Sequence, residues 1–201
     1  MFSERVLTSE HELAAFSRSQ EHAGGHPVSR QYLRRSRVTG FFVGERMVGG
    51  YVFNGEAPFR TLESVPDTVA ADILTPANSG GPYELTCVWM EPRARRTLVG
   101  NRMWLSILGL IVAHRGRRVL VSSVHDSLLA LYEGFGFVPR HVALIDAPGG
   151  RQVPKTVLTL DHLTPLLLAT LRTVPGRYAH AAKLRWADWF TRPATGRLAP
   201  A

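Results

Sequence analysis

Cysteine is nearly absent from this chain of 201 residues. Cys87 stands alone, which excludes an internal disulfide and a zinc site built on several thiolates. Lysine is almost as scarce. Only Lys155 and Lys183 occur, so the net charge of +8 is carried mostly by arginine. In a chain also rich in alanine, glycine and proline, that bias fits coding composition as well as it fits function. The charge is weak support for a polyanionic ligand, and nucleic acid is not an expected partner. Long apolar runs are missing too. Leu166-Leu167-Leu168-Ala169, the longest near the C-terminal end, is far short of the ~20 residues that cross a bilayer. Met1 to Leu7 lacks an apolar core and a cleavage pattern, so a cytoplasmic protein without a transmembrane segment is expected. The histidines at 11, 22, 26, 114, 125, 141, 162 and 180 lack close helical spacing, and no structural metal is expected.

What remains is ordinary for a globular chain: 45% hydrophobic and 20% charged residues, with no internal repeat. The length suits one domain with a full core, or one domain plus an appendage. Ser9 followed by Glu12 is a capping-box pattern and predicts a helix from about Glu10. A short helix is expected through Gln31 to Leu33. Val38–Val43 and Met47–Phe53, joined by Gly44-Glu45-Arg46, predict a hairpin. Gly49-Gly50 inside its second arm signals a bulge or a close backbone approach. Asn54 to Pro82 is proline-punctuated, with a brief helix expected from Asp67 to Leu74, capped by Asp67. This insertion reads equally as a pocket wall or as a surface loop.

The run from Tyr83 to Phe137 carries most of the chemical information. An apolar strand, Tyr83 to Met90, enters the turn Pro92-Arg93-Ala94-Arg95-Arg96-Thr97-Leu98-Val99-Gly100 and then a long apolar helix. Amides and arginines at a helix N-terminus suit a phosphate. Gly116 ends the helix, and Val119–Val124 reads as a buried strand. A short helix then carries Tyr132 just before Gly134-Phe135-Gly136-Phe137, placing a phenol near the same spot. Strands are expected at His141 to Ile145 and Pro154 to Leu160. From Leu163 onward an apolar, arginine-bearing segment reads as two helical pieces around Pro175-Gly176. It is compatible with a helix packed on the domain, a homodimer arm or a surface-seeking amphipathic segment, with packing on this chain or its copy as the default.

In this order of elements the chain resembles the GCN5-related N-acetyltransferase (GNAT) superfamily over about residues 5 to 160. Two landmarks carry the resemblance. The family's phosphate-loop pattern, arginine or glutamine, two residues, glycine, one residue, then glycine or alanine, falls on Arg95 to Gly100, with Leu98 in place of the first glycine. The family's tyrosine before a Gly-Phe pair falls on Tyr132, although His125 stands where an asparagine is common. The resemblance implies an α/β (α+β) fold. Its mixed, mostly antiparallel central sheet is flanked by helices in residues 1–162, with a C-terminal helical extension over 163–201.

It further implies an acyl-CoA-dependent N-acyltransferase, with acetyl-CoA as co-substrate and a small-molecule or peptide amine as acceptor. Amides from Arg96 to Asn101 are expected to face the pyrophosphate, with Arg95, Arg96, Leu98, Gly100 and Asn101 as contacts. Pantetheine is expected to pair with main-chain groups near Val88 and Met90, where two strands diverge. Tyr132 would serve the departing thiolate. Strand alternation predicts Glu84, Thr86 and Val88 on one face and Cys87 on the other. Glu84 is then a candidate base or an ion-pair partner at the sheet edge. His125 is a second candidate base, with a structural alternative. Cys87 reads as core. Two rival readings stay open. One is a longer-chain acyltransferase resembling acyl-homoserine-lactone or N-acyl amino acid synthases, drawing on acyl carrier protein. The other is a non-catalytic module that senses CoA or binds anions.

Overall fold

Residues 1–23, 26–75, 80–95, 97–147 and 150–162 are described by the computed structural model. The expected C-terminal extension and Arg96 lie outside these residues. Four strands make the N-terminal half of a sheet: β1 (Phe2–Leu7), β2 (Arg37–Val43), β3 (Arg46–Asn54) and β4 (Gly80–Met90). Three more complete it: β5 (Arg117–Ser123), β6 (Val138–Ala147) and β7 (Arg151–Leu160). The sheet order is β1-β2-β3-β4-β5-β7-β6, and every neighbouring pair is antiparallel except β4 with β5. The helices are α1 (Glu10–His22), α2 (Arg30–Arg35), α3 (Asp67–Leu74), α4 (Leu98–Ala113) and α5 (Asp126–Gly134). None of the described helices is long and apolar enough to cross a membrane.

Local chemistry sets several of these boundaries. The Ser9 hydroxyl accepts from the Glu12 amide while the Glu12 carboxylate accepts from the Ser9 amide, so the capping box forms as expected. Asp67 does not cap α3. It is the first helical residue, Pro66 takes the cap position, and no side chain bonds the end. β1 was not foreseen. It is an edge strand whose residues are exposed except Leu7, so it lacks the half-buried alternation that marks a strand in sequence.

The tandem glycines in β3 meet both expectations. Pairing with β2 passes from Phe41–Gly49 to Phe42–Met47, so β3 carries an extra residue beside the glycines, and a Cβ at Gly50 would lie 2.5 Å from the Thr39 carbonyl oxygen and 2.7 Å from the Phe16 ring. Glycine there lets α1 pack directly on the sheet.

Two layers cover the sheet. On one face α4 buries Met103, Ile107, Leu108, Ile111 and Val112 with Tyr83, Leu85, Val119, Val121 and Tyr132. Around the N-terminal strands, α1 and α2 bury Leu13, Phe16, Tyr32 and Leu33 with Val38, Val52 and Trp89. The insertion is no loose loop. Phe59, Leu62, Val65 and Ile73 are buried against Leu120 and Val157. Each such side chain contributes roughly 1.5–3 kcal/mol of burial, enough together to dock the segment on β5 and β7.

Candidate functional site

Parallel β4 and β5 stay together only briefly. Tyr83 pairs with Val119 and Glu84 with Leu120, and no pairing between the two strands follows. β4 continues along β3 to Met90, whereas β5 continues along β7 to Ser123. The strands therefore splay from Leu85 onward, as the resemblance implied. A cleft of about 790 Å³ opens there, lined by Leu85 to Met90 on one side and Ser122 to His125 on the other.

A bulge re-aims the cleft wall. Between Val52–Thr86 and Gly50–Trp89, β4 spends three steps where β3 spends two. Cys87 takes up the extra residue with a φ of 51°, in the left-handed region. The alternation predicted from Glu84 is therefore interrupted. Val88 packs on the α4 side, and Cys87 packs with Tyr32 and Trp89 on the side of Glu84 and Thr86. Both assignments of faces are thus corrected. Burial pushes the Cys87 thiol up, which suits a wall residue and not a thiolate nucleophile.

At one end of the cleft stands the turn before α4. Arg95 lines the cleft, and its Nε donates to the Met90 carbonyl at 3.1 Å. Met90 closes the strand, buried among α4 residues. Thr97 caps the helix: its hydroxyl accepts from the Val99 amide and its carbonyl from the Asn101 amide, each at 3.2 Å. Two of the amides expected to face a diphosphate are therefore occupied. Asn101 retains an exposed side chain. Leu98 is 81% exposed and has no positive φ, so the residue replacing the family glycine is unstrained. Gly100 is the constrained position. A Cβ there would lie 2.5 Å from the Arg95 carbonyl oxygen and 3.0 Å from that of Ala94. The turn folds back onto the first helical turn, a cradle that any side chain would fill. Such a helix start retains free donors and a partial positive charge, and it fits a phosphate group.

Tyr132 lines the cleft from α5, beside Leu128, Leu131 and Trp104. Its ring rests 5.3 Å from that of Phe137. Among the described residues nothing hydrogen-bonds its hydroxyl. Burial raises its pKa above the ordinary value, so the phenol remains protonated at neutral pH.

Glu84 is fully buried and is not among the residues lining the cleft. One carboxylate oxygen accepts from the Tyr32 hydroxyl (2.8 Å), the Asn54 side-chain amide (2.9 Å) and the Arg60 amide (3.0 Å). The other accepts from the Thr61 amide and hydroxyl, both at 2.8 Å. With five donors on two oxygens, little capacity remains for a substrate proton. The expectation of a base, and that of an arginine ion pair, are both corrected. Glu84 is a buried clamp for the Arg60–Leu62 turn.

That clamp delivers residues that sequence reasoning missed. Arg60, Glu63 and Ser64 from the insertion, Lys155 from β7 and His26 line the same cleft. Arg60 donates to the Pro27 carbonyl at 2.9 Å, to that of His26 at 3.3 Å and to the Cys87 sulfur at 3.5 Å. Lys155 Nζ donates to the Arg60 carbonyl at 3.3 Å and to the Ser64 hydroxyl at 3.2 Å. Burial lowers the pKa of Lys155, and next the charge of Arg60. His26 is lowered by burial first, then by Arg60, His125 and Lys155. The one signal in the sequence was a lysine, scarce in this chain, inside the strand expected from Pro154 to Leu160; the structure leaves it half-buried. His125 also lines the cleft, exposed, at the start of α5; its amide donates to Ser123 Oγ.

No family model and no curated protein matches this sequence. Solved structures do match the fold. FeeM, an N-acyl amino acid synthase from uncultured soil microbes, aligns with a TM-score of 0.63 at 16% identity, covering 85% of this chain and 97% of that one. Arabidopsis thaliana NAA60, solved with a bisubstrate analogue, aligns at 0.57 and 9% identity, over 80% and 97%. The ribosomal-protein-S18-alanine N-acetyltransferase of Escherichia coli aligns at 0.52 and 14% identity, over 80% and 93%. At such identities the likeness concerns the fold: this chain has the fold of the GNAT superfamily.

Proposed function

We propose that this protein is an acyl-CoA-dependent N-acyltransferase, transferring an acetyl group to an amine by direct attack and acting in the cytoplasm. The observation that carries the reading is the splay of β4 and β5, with the glycine-cradled start of α4 at one side and Tyr132 among the residues lining the cleft. Arg95, Arg96, Leu98, Gly100 and Asn101 would hold the diphosphate of acetyl-CoA. Pantetheine would run along the edge of β4 that β5 leaves open, near Val88 and Met90.

In the reaction the amine lone pair forms a bond to the thioester carbonyl carbon, and the carbon–sulfur bond then breaks toward sulfur. The amine loses one proton and the thiolate gains one, so the exchange balances. Tyr132 supplies a hydrogen bond to the sulfur as its charge develops. With its pKa raised above that of a thiol, near 8.5, the phenol stabilises that charge without being deprotonated in the resting state. His26, held neutral by burial and by its cationic neighbours, is suited to take the proton from the amine.

Calorimetric titration with acetyl-CoA tests the reading, together with thiol release across an amine panel. Micromolar binding and acceptor-dependent thiol release are expected. Absence of binding at high micromolar ligand would overturn it. The cradle makes its own prediction. Gly100→Ala must move backbone at the turn, at a cost of ~1–3 kcal/mol, and is expected to weaken acetyl-CoA binding about tenfold.

A longer acyl donor is the second reading, favoured by the alignment with FeeM. Rates with acyl-CoAs of rising chain length, with and without acyl carrier protein, separate the two.

A further inference from the structure

Two cations line the cleft from the face of the sheet that the insertion covers, opposite α4, and neither forms an ion pair among the described residues. Arg60 and Lys155 find carbonyl oxygens, a hydroxyl and a sulfur, all neutral. The nearby carboxylates do not serve them. Glu84 is saturated by other donors, and Glu63 makes no ion pair with either cation. Holding two like charges together in a partly desolvated cleft is costly, and an anion placed between them offsets that cost. The arrangement is also built and not incidental. The Arg60 backbone is pinned to Glu84, Lys155 is pinned to the Arg60 carbonyl, and the insertion carrying Arg60 is docked by its own apolar cluster.

We infer that Arg60 and Lys155 form an anchor for a carboxylate on the acceptor, so that the acceptor class is α-amino acids or chains presenting a carboxylate near the reacting amine. The inference rests on the acyltransferase reading and names the substrate class for the same cleft. Arg60 and Cys87 touch, and Cys87 belongs to the wall where the strands splay. A carboxylate on the anchor therefore directs a neighbouring amine along β4 toward the thioester end. The depressed pKa values of His26 and Lys155 agree with a local positive field here. Coenzyme phosphates are assigned elsewhere, to the cradle at the start of α4.

The test is titration of the full-length protein, saturated with CoA, with N-acetyl amino acids and with the matching N-acetyl amines that lack the carboxylate. At least one acid is expected to bind about tenfold tighter than its match, the size of one charge-assisted contact. Lys155→Met and Arg60→Gln, each checked by thermal melting, are expected to erase that preference while leaving acetyl-CoA affinity unchanged. Equal affinity for acids and matches, no binding by any acid, or a preference that survives both variants overturns the anchor. So does a loss of acetyl-CoA affinity in the variants, which would make the anion a coenzyme phosphate. If acetyl-CoA binds and neutral amines release thiol as fast as amino acids, the anchor fails and the acyltransferase reading stands. If acetyl-CoA does not bind, the reading itself has failed.

Discussion

Tyr132→Phe is expected to lose about 100-fold or more of the turnover, the ordinary contribution of a positioned proton donor, while binding acetyl-CoA as tightly as the parent protein. The separation of the two effects follows from the geometry. The ring of Tyr132 is buried against Phe137 and the α4 side of the sheet, and phenylalanine keeps that packing. The hydroxyl has no partner among the described residues, so its removal leaves no orphaned donor behind. Burial keeps the phenol protonated throughout the neutral range. The parent rate should therefore show no limb near the ordinary tyrosine pKa of about 10 that disappears in the variant. Steady-state thiol release and acetyl-CoA calorimetry on the two proteins check the prediction. Unchanged turnover would remove Tyr132 from the mechanism.

Glu84→Gln is expected to cost about 3 kcal/mol of stability, because an amide replaces an acceptor-only carboxylate among five donors. Whichever way the amide turns, an N–H faces another donor. Three donors stand at one oxygen, and the Thr61 amide and hydroxyl stand at the other. For a domain of this size the loss corresponds to a melting point lower by roughly 6–12 °C. A second readout distinguishes the clamp from mere stability. Well below the melting transition, Glu84→Gln should raise KM for the acceptor and leave acetyl-CoA affinity near the parent value, because it releases the turn that carries Arg60. A variant that melts normally would show that the five contacts contribute little. Equal losses for both substrates would mean that the effect is global.

The parts of this molecule legible in sequence are those governed by neighbours along the chain. Ser9 and Glu12 meet within one helical turn, so their capping box could be read and forms as read. The hairpin arms and the central strands announce themselves as short apolar runs, and the long helix through its apolar face. Their order carried the resemblance that the fold matches. β1 escaped because an exposed edge strand has no buried face to leave a pattern. The bulge at Cys87 escaped for a different reason. Left-handed backbone at a non-glycine residue has no local signature, and one inserted residue exchanges the faces of everything after it.

Sequence alone determined most of the described elements, their order, and the two landmarks on which the resemblance rests. Those depend on contacts a few residues long. Only the tertiary structure decided what Glu84 does, since its partners lie 52, 30, 24 and 23 residues away. The same holds for Arg60 and Lys155, separated by 95 residues, which meet because the insertion docks on β5 and β7. Burial turned a strand carboxylate from a plausible base into a clamp. Docking brought two scattered cations to one cleft, and neither event leaves a trace in the order of the residues.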